Sequence, residues 1–233
     1  MANQERIIGL VKFFSNEQYM KDLLAGKFFC NTPEYYRRTF HPGISDRYES
    51  CKLDLINTLD PDFSLKIQMP GYEMLHATSA DDLTRFTIYD DVGHQAWLHC
   101  WMILSLPPAQ KKLDQLICDM RRIKREFGSH NLFLPFKHIK TMASRIKKSS
   151  LKEAKATVVK YSDKQIDFSS SCKSTRYSYQ REFRFLFGHC EGYEAESFTF
   201  QIPEGLGDLL APNADLKLTD NQTGRVWFDL QNS

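Results

Sequence analysis

The chain has no apolar run long enough to cross a bilayer. The longest, Ala96–Leu106, is interrupted by His99 and falls short of the ~18–20 residues a span requires, so no membrane association is expected. The opening Met-Ala-Asn-Gln-Glu-Arg lacks the apolar segment of a secretory leader, and a cytoplasmic location is the expectation. Cys30, Cys51, Cys100, Cys118, Cys172 and Cys190 include no C-x-x-C pair. Neither a zinc site nor a disulfide framework therefore has sequence support. The histidines are equally dispersed, with His94 and His99 out of phase for one helix face, and no metal is expected. Also absent are G-x-x-x-x-G-K-[ST], G-x-G-x-x-G after a strand, G-x-S-x-G and H-E-x-x-H. P-loop, Rossmann, hydrolase-elbow and zincin chemistry are left without a motif. No repeat, low-complexity tract or linker divides the chain.

What is present is a foldable composition. The 233 residues are 42% hydrophobic and 13% aromatic, too apolar for a solvated coil and enough for a core without staples. The net charge of +2 hides an uneven distribution. Residues 111–160 carry 14 basic and 4 acidic side chains, whereas residues 1–110 carry 10 and 14 and residues 161–233 carry 7 and 11. A basic middle between acidic flanks fits a face for an anionic partner, nucleic acid first, and fits equally a pair of well-solvated helices.

Periodicity places the elements. Ile7–Phe14 reads as a buried strand, followed by a helix with a Ser15/Gln18 capping box, an apolar face of Tyr19, Met20, Leu23 and Leu24, and a stop at Gly26. Lys27–Cys30 is a second strand, and Pro33 opens a short helix. Turn chemistry marks His41-Pro42-Gly43, Asp60-Pro61-Asp62 and Pro70-Gly71, with short strands at Leu65–Gln68 and Arg85–Tyr89. Ala96–Leu106 is apolar on both faces and reads as a central strand ended by Pro107-Pro108. A basic helical segment, about 108–150, follows: an amphipathic helix Gln110–Phe127, a strand Asn131–Leu134 and a helix from Pro135 to about Lys148. Strands are expected at Ala156–Tyr161, Arg181–His189, Ser197–Ile202 and Arg225–Leu230. The expected fold is α+β, one domain over 1–233, with a strand-rich core and about three principal helices.

Two segments concentrate polar and aromatic residues. One runs Gly26-Lys27-Phe28-Phe29-Cys30-Asn31-Thr32-Pro33-Glu34-Tyr35-Tyr36-Arg37 and on to Gly43-Ile44-Ser45-Asp46-Arg47-Tyr48-Glu49-Ser50. The other is Tyr177-Ser178-Tyr179-Gln180-Arg181-Glu182-Phe183-Arg184-Phe185-Leu186-Phe187. Alternation puts Gln180, Glu182 and Arg184 on one strand face. Such a face holds a polar ligand, or is an exposed face with an internal Glu–Arg pair.

From about Leu10 to Phe187 this pattern resembles a broad set of uncharacterised bacterial and phage proteins, a family that implies no activity. More distantly, the strand–helix–Gly–strand opening with Lys12, and the Gln180-x-Glu182 triplet, resemble ADP-ribosyltransferase-fold toxins. That resemblance implies NAD as substrate, Glu182 as the catalytic carboxylate and Gln180 as the residue that orients the acceptor. It also implies Lys12, Arg184 and one of Tyr35, Tyr36 or Tyr48 as NAD contacts. Lys12 departs from the His or Arg of those enzymes, and Tyr35, Tyr36 and Tyr48 are the candidates for their middle position. The implied protein is a cytoplasmic toxin or phage-defence effector that modifies RNA, DNA or protein and is paired with an antitoxin protein. Two alternatives stand beside it: a non-catalytic nucleic-acid-binding protein using Lys137, Lys140, Arg145, Lys147 and Lys148, and a metal-independent nuclease toxin.

Overall fold

The run Ile-Ile-Gly-Leu-Val-Lys-Phe-Phe is β-branched or bulky at almost every position, and its two sets of alternate side chains both need cover. In the computed structural model it forms β1 (Arg6–Phe14). The structure describes residues 5–41, 43–56, 65–67, 75–77, 85–89, 95–106, 109–164, 167, 169–190, 195–219, 223–224 and 226–230. After β1 come α1 (Glu17–Leu24), β2 (Lys27–Cys30), α2 (Pro33–Arg38), β3 (Cys51–Ile56), β4 (Leu65–Ile67), β5 (Leu75–Ala77) and β6 (Arg85–Tyr89). Then follow β7 (Gln95–Leu106), α3 (Gln110–Phe127), β8 (His130–Pro135), α4 (Ile139–Ser149), β9 (Ala154–Val158), β10 (Lys160–Tyr161) and β11 (Cys172–Lys173). The last are β12 (Glu182–Cys190), β13 (Phe198–Gln201), β14 (Ala211–Pro212), β15 (Lys217–Thr219) and β16 (Val226–Asp229). The expected turns at Asp60-Pro61-Asp62 and Pro70-Gly71, and Pro42, Gln68 and Pro107-Pro108, lie outside the described residues.

Six strands form the main sheet in the order β14-β8-β1-β7-β12-β9, with every neighbouring pair antiparallel. On one face Val11, Phe13, Met102 and Leu104 pack against Leu116, Ile117, Met120 and Ile123 of α3. On the other, Leu10, Phe14, Trp101, Phe185 and Phe187 meet Met20 and Leu23 of α1, Phe28 of β2, and Met142 and Ile146 of α4. Each such burial contributes ~1.5–3 kcal/mol. The result is a mixed α and β fold with a strand-rich core.

The differences from expectation are local. Asn16, not Ser15, caps α1, its Oδ1 accepting from the Gln18 N–H at 2.8 Å. Tyr19 is exposed rather than part of the apolar face of that helix. The second basic helix begins as a 3₁₀ turn, Phe136–His138, before α4. The strand expected over Ala156–Tyr161 breaks at Val159, whose N–H bonds the Glu182 carbonyl at 2.9 Å.

One irregularity positions the site. β1 pairs with β7 only as far as Val11↔Met102, yet stays paired with β8 through Phe14↔His130. Beyond that point β7 runs on beside β12, and β2 joins it through the bridge Asn31↔Leu98. The sheet is therefore split between Lys12–Phe14 and the first half of β7. Gly128 closes the end of this split. At φ +113° it brings the α3 terminus so close that a Cβ would lie 2.2 Å from the Phe14 carbonyl oxygen.

Candidate functional site

A cavity of about 610 Å³ occupies the split, a volume ordinary for a small-molecule site. Lys12 reaches in from β1, and His99, Cys100 and Trp101 from β7. Tyr35 and Tyr36 of α2, with Lys173, Gln180 and Glu182, complete the inner wall. Lys12 Nζ donates to the Cys100 carbonyl at 2.8 Å, across the gap that the β1–β7 ladder leaves open. No carboxylate pairs with it among the described residues. Burial lowers its pKa, against the raising influence of Cys100, Cys30 and Glu182.

Behind the wall lies a buried ion cluster. Arg184, 0% exposed, donates through Nε to Glu182 Oε1 at 2.6 Å and through both terminal nitrogens to Glu49, at 2.6 and 2.8 Å. Nη1 also meets the Ser170 carbonyl at 2.5 Å. Lys173 Nζ lies 2.8 Å from Glu182 Oε2 and donates to Gln180 Oε1 at 2.9 Å. Burial alone would raise the Glu182 carboxyl, but the Arg184 and Lys173 charges outweigh it and hold the group well below the usual carboxylate range. Two cations on two carboxylates leave the cluster neutral, and the Lys12 amine stands outside it.

The two segments singled out in the sequence meet here. Glu49 belongs to the Gly43–Ser50 loop, which also accepts Gln180 Nε2 on the Gly43 carbonyl at 2.8 Å and the Tyr177 hydroxyl on the Ser45 carbonyl at 2.6 Å. Arg37 holds the same loop by donating to the Glu49 carbonyl at 2.8 Å. Asp46, buried in the loop, accepts the Tyr48 N–H through Oδ1, while Oδ2 has no partner among the described residues. Burial first, and then the Glu49 charge, raise its pKa to about 7.

His99 is set by its neighbours. Its Nδ1 lies 2.7 Å from the Phe29 carbonyl, which can only accept, so Nδ1 carries the proton. Burial first, and Lys12 next, push its pKa well below the ordinary value and keep the ring neutral. The Cys100 thiol is pushed up to about 12, chiefly by burial, and is no nucleophile. Tyr36 carries a hydroxyl raised well above its usual value by burial and then by Cys100, Glu182 and Glu49.

The sequence-derived candidates divide. Lys12, Tyr35, Tyr36, Gln180 and Glu182 come together around the cavity; Tyr48 and Arg184 do not line it. Every hydrogen-bonding nitrogen of Arg184 is spent on Glu182, Glu49 and Ser170, so it positions Glu182 instead of touching a ligand. Gln180 is not in the strand, because Thr175–Gln180 is a 3₁₀ helix and Arg181 turns the chain at φ +46°. Its place beside Glu182 comes from their shared Lys173 rather than from alternation. Lys173, Glu49 and His99 were missed. His99 stands out as the imidazole interrupting the Ala96–Leu106 run, and Glu49 belongs to the quoted Gly43–Ser50 stretch.

On α4 and its 3₁₀ lead-in, Arg145 is taken up by Asp208, at 2.6 and 2.7 Å, and Lys148 lies 3.6 Å from Glu204. Lys137, Lys140 and Lys147 are exposed. Among the described residues no group of His, Cys, Asp or Glu is arranged to hold a metal ion, and no helix is long and apolar enough to cross a membrane. Comparison with protein-family models, curated proteins and solved structures finds no match for this chain.

Proposed function

We propose that the chain is an NAD-dependent ADP-ribosyltransferase of ADP-ribosyltransferase-like fold that modifies a macromolecule. In this reading it is a toxin or phage-defence effector of the cytoplasm, with an antitoxin as its natural counterpart. The observation that carries the reading is the Glu182 carboxylate, held ionised in the wall of a cavity of ligand size and facing the split that Lys12 enters from β1. Loss of nicotinamide breaks the bond between its nitrogen and the ribose carbon, and the electron pair leaves with nicotinamide. Cationic charge develops at that carbon, and a carboxylate already fixed in place stabilises it without reorganising. The acceptor nucleophile then adds to the carbon and gives up its proton to water. Arg184, Lys173 and Gln180 act through Glu182 by fixing its position. Lys12, which has no carboxylate partner among the described residues, favours an anionic ligand, which suits a pyrophosphate.

The test compares Glu182→Gln with Glu49→Gln. Both disturb the same ion cluster, but Glu49 does not line the cavity. With folding checked by melting, Glu182→Gln should lose ~10²–10³-fold in nicotinamide release, and Glu49→Gln much less. Equal losses would make the cluster structural only. Wild-type protein that neither binds NAD nor releases nicotinamide with cell extract as acceptor removes the reading. The exposed Lys137, Lys140 and Lys147 keep a second reading open, that of a nucleic-acid-binding protein without catalysis.

A further inference from the structure

The mouth of the cavity carries side chains that the reaction does not use. Tyr19 of α1 is 61% exposed and Phe29 of β2 is 48% exposed, and both line the opening. Phe29 lies on the outward side of β2, opposite the buried Phe28 and Cys30, so core packing does not account for its size. The segment after β13 links the end of α1 to the basic helix. The Leu206 N–H bonds the Leu24 carbonyl at the end of α1 at 2.9 Å, and the Ile202 N–H bonds the Gly26 carbonyl at 2.8 Å. The segment they anchor is gripped by Arg145 through Gly205 and Asp208 and approached by Lys148 at Glu204. On the outer side of α4 and its lead-in stand Lys137, Lys140 and Lys147, with Phe136 beside them at 59% exposed.

We infer that this surface binds single-stranded nucleic acid. A base stacks on Phe29 and Tyr19 at the cavity mouth, and the phosphates follow the lysines of α4. Exposed aromatic faces next to a run of cations are what a strand without fixed sequence requires: rings for the bases and ammonium groups for the backbone. The inference rests on the proposed transferase activity for its meaning, since it names the acceptor, but the binding itself can be measured apart from it.

The experiment is fluorescence anisotropy of a labelled single-stranded RNA or DNA of about 12 nucleotides, without NAD, run alongside nicotinamide release with that oligonucleotide or with extract protein as acceptor. Phe29→Ala and Tyr19→Ala should each weaken binding about tenfold, while Val226→Ala, an exposed apolar site elsewhere, leaves it unchanged. Reversing Lys137, Lys140 and Lys147 to Glu should weaken binding and flatten its salt dependence. Wild-type protein that releases nicotinamide with protein but neither binds nor modifies the oligonucleotide overturns the inference and leaves the transferase reading intact. Oligonucleotide binding that depends on Phe29, with no nicotinamide release from any acceptor, upholds the surface and overturns the transferase. Binding untouched by all three changes overturns the surface.

Discussion

Replacing Arg184 by Met removes a guanidinium that hydrogen-bonds both buried carboxylates. In the wild-type protein the guanidinium makes two bonds to Glu49, one to Glu182 and one to the Ser170 carbonyl, with no exposure to water. Methionine fills much of the volume and supplies none of the four. Lys173 remains, at 2.8 Å from Glu182 but 3.9 Å from Glu49, so Glu49 loses nearly all its compensation. Breaking a buried pair from one side costs ~3–5 kcal/mol, and with Glu49 orphaned and Glu182 left on Lys173 alone the upper part of that range applies. Since a domain is stable by only ~5–15 kcal/mol, the variant should sit close to unfolding. In urea, at an m-value of ~3 kcal/mol/M, the midpoint should fall by ~1.5 M. Lys155→Met is the matched control, because the Lys155–Glu153 pair at 3.0 Å is solvent-exposed on both sides and contributes little to stability. If Arg184→Met unfolds within ~1 kcal/mol of wild type, the cluster is not the stabilising structure inferred from its burial.

Three further outcomes follow from other sites. Asp46 has a folded pKa near 7 against 3.8 in the unfolded chain, so between these values the folded state holds the extra proton. Stability must fall as pH rises through that window, by up to ~1.4 kcal/mol per unit, and Asp46→Asn should flatten this slope in urea titrations at successive pH values. Leu116→Asp places a carboxylate at a fully buried point of the α3 face and should unfold the protein or aggregate it, with loss of the cooperative melt as the readout. Gly128→Ala combines a left-handed backbone with a Cβ 2.2 Å from the Phe14 carbonyl and should lower stability by ~2 kcal/mol or more in the same denaturation assay.

Helix and strand were legible wherever the apolar period was strong. The faces of α3 and β7, the Pro33 entry to α2 and the Gly128 stop can all be read from residue order, because each rests on neighbours within a few positions. Two-residue strands such as β11 and β14 cannot, since they exist only through partners far along the chain. The site follows the same division. Glu182 and Arg184 share a face by simple alternation, whereas Gln180 reaches it through a left-handed turn at a non-glycine residue, which no pattern announces. Glu49 was visible as part of a motif, but its bond to Arg184 spans 135 residues. Lys173 had no signal, for its meaning lies wholly in the carboxylates that fold around it.

The place of β1 in the middle of the sheet has a consequence for synthesis. Both strands that cover its edges, β7 and β8, are made long after it, the second roughly 120 residues later. At ~5–20 residues per second the ribosome needs roughly 6–24 s to deliver β8. Throughout that interval Ile-Ile-Gly-Leu-Val-Lys-Phe-Phe stands without partners, a segment of high β-propensity that other nascent chains can pair with. Its single charge is Lys12. Before it has a cavity to serve, that lysine is a gatekeeper at the centre of the most adhesive stretch of the newborn chain.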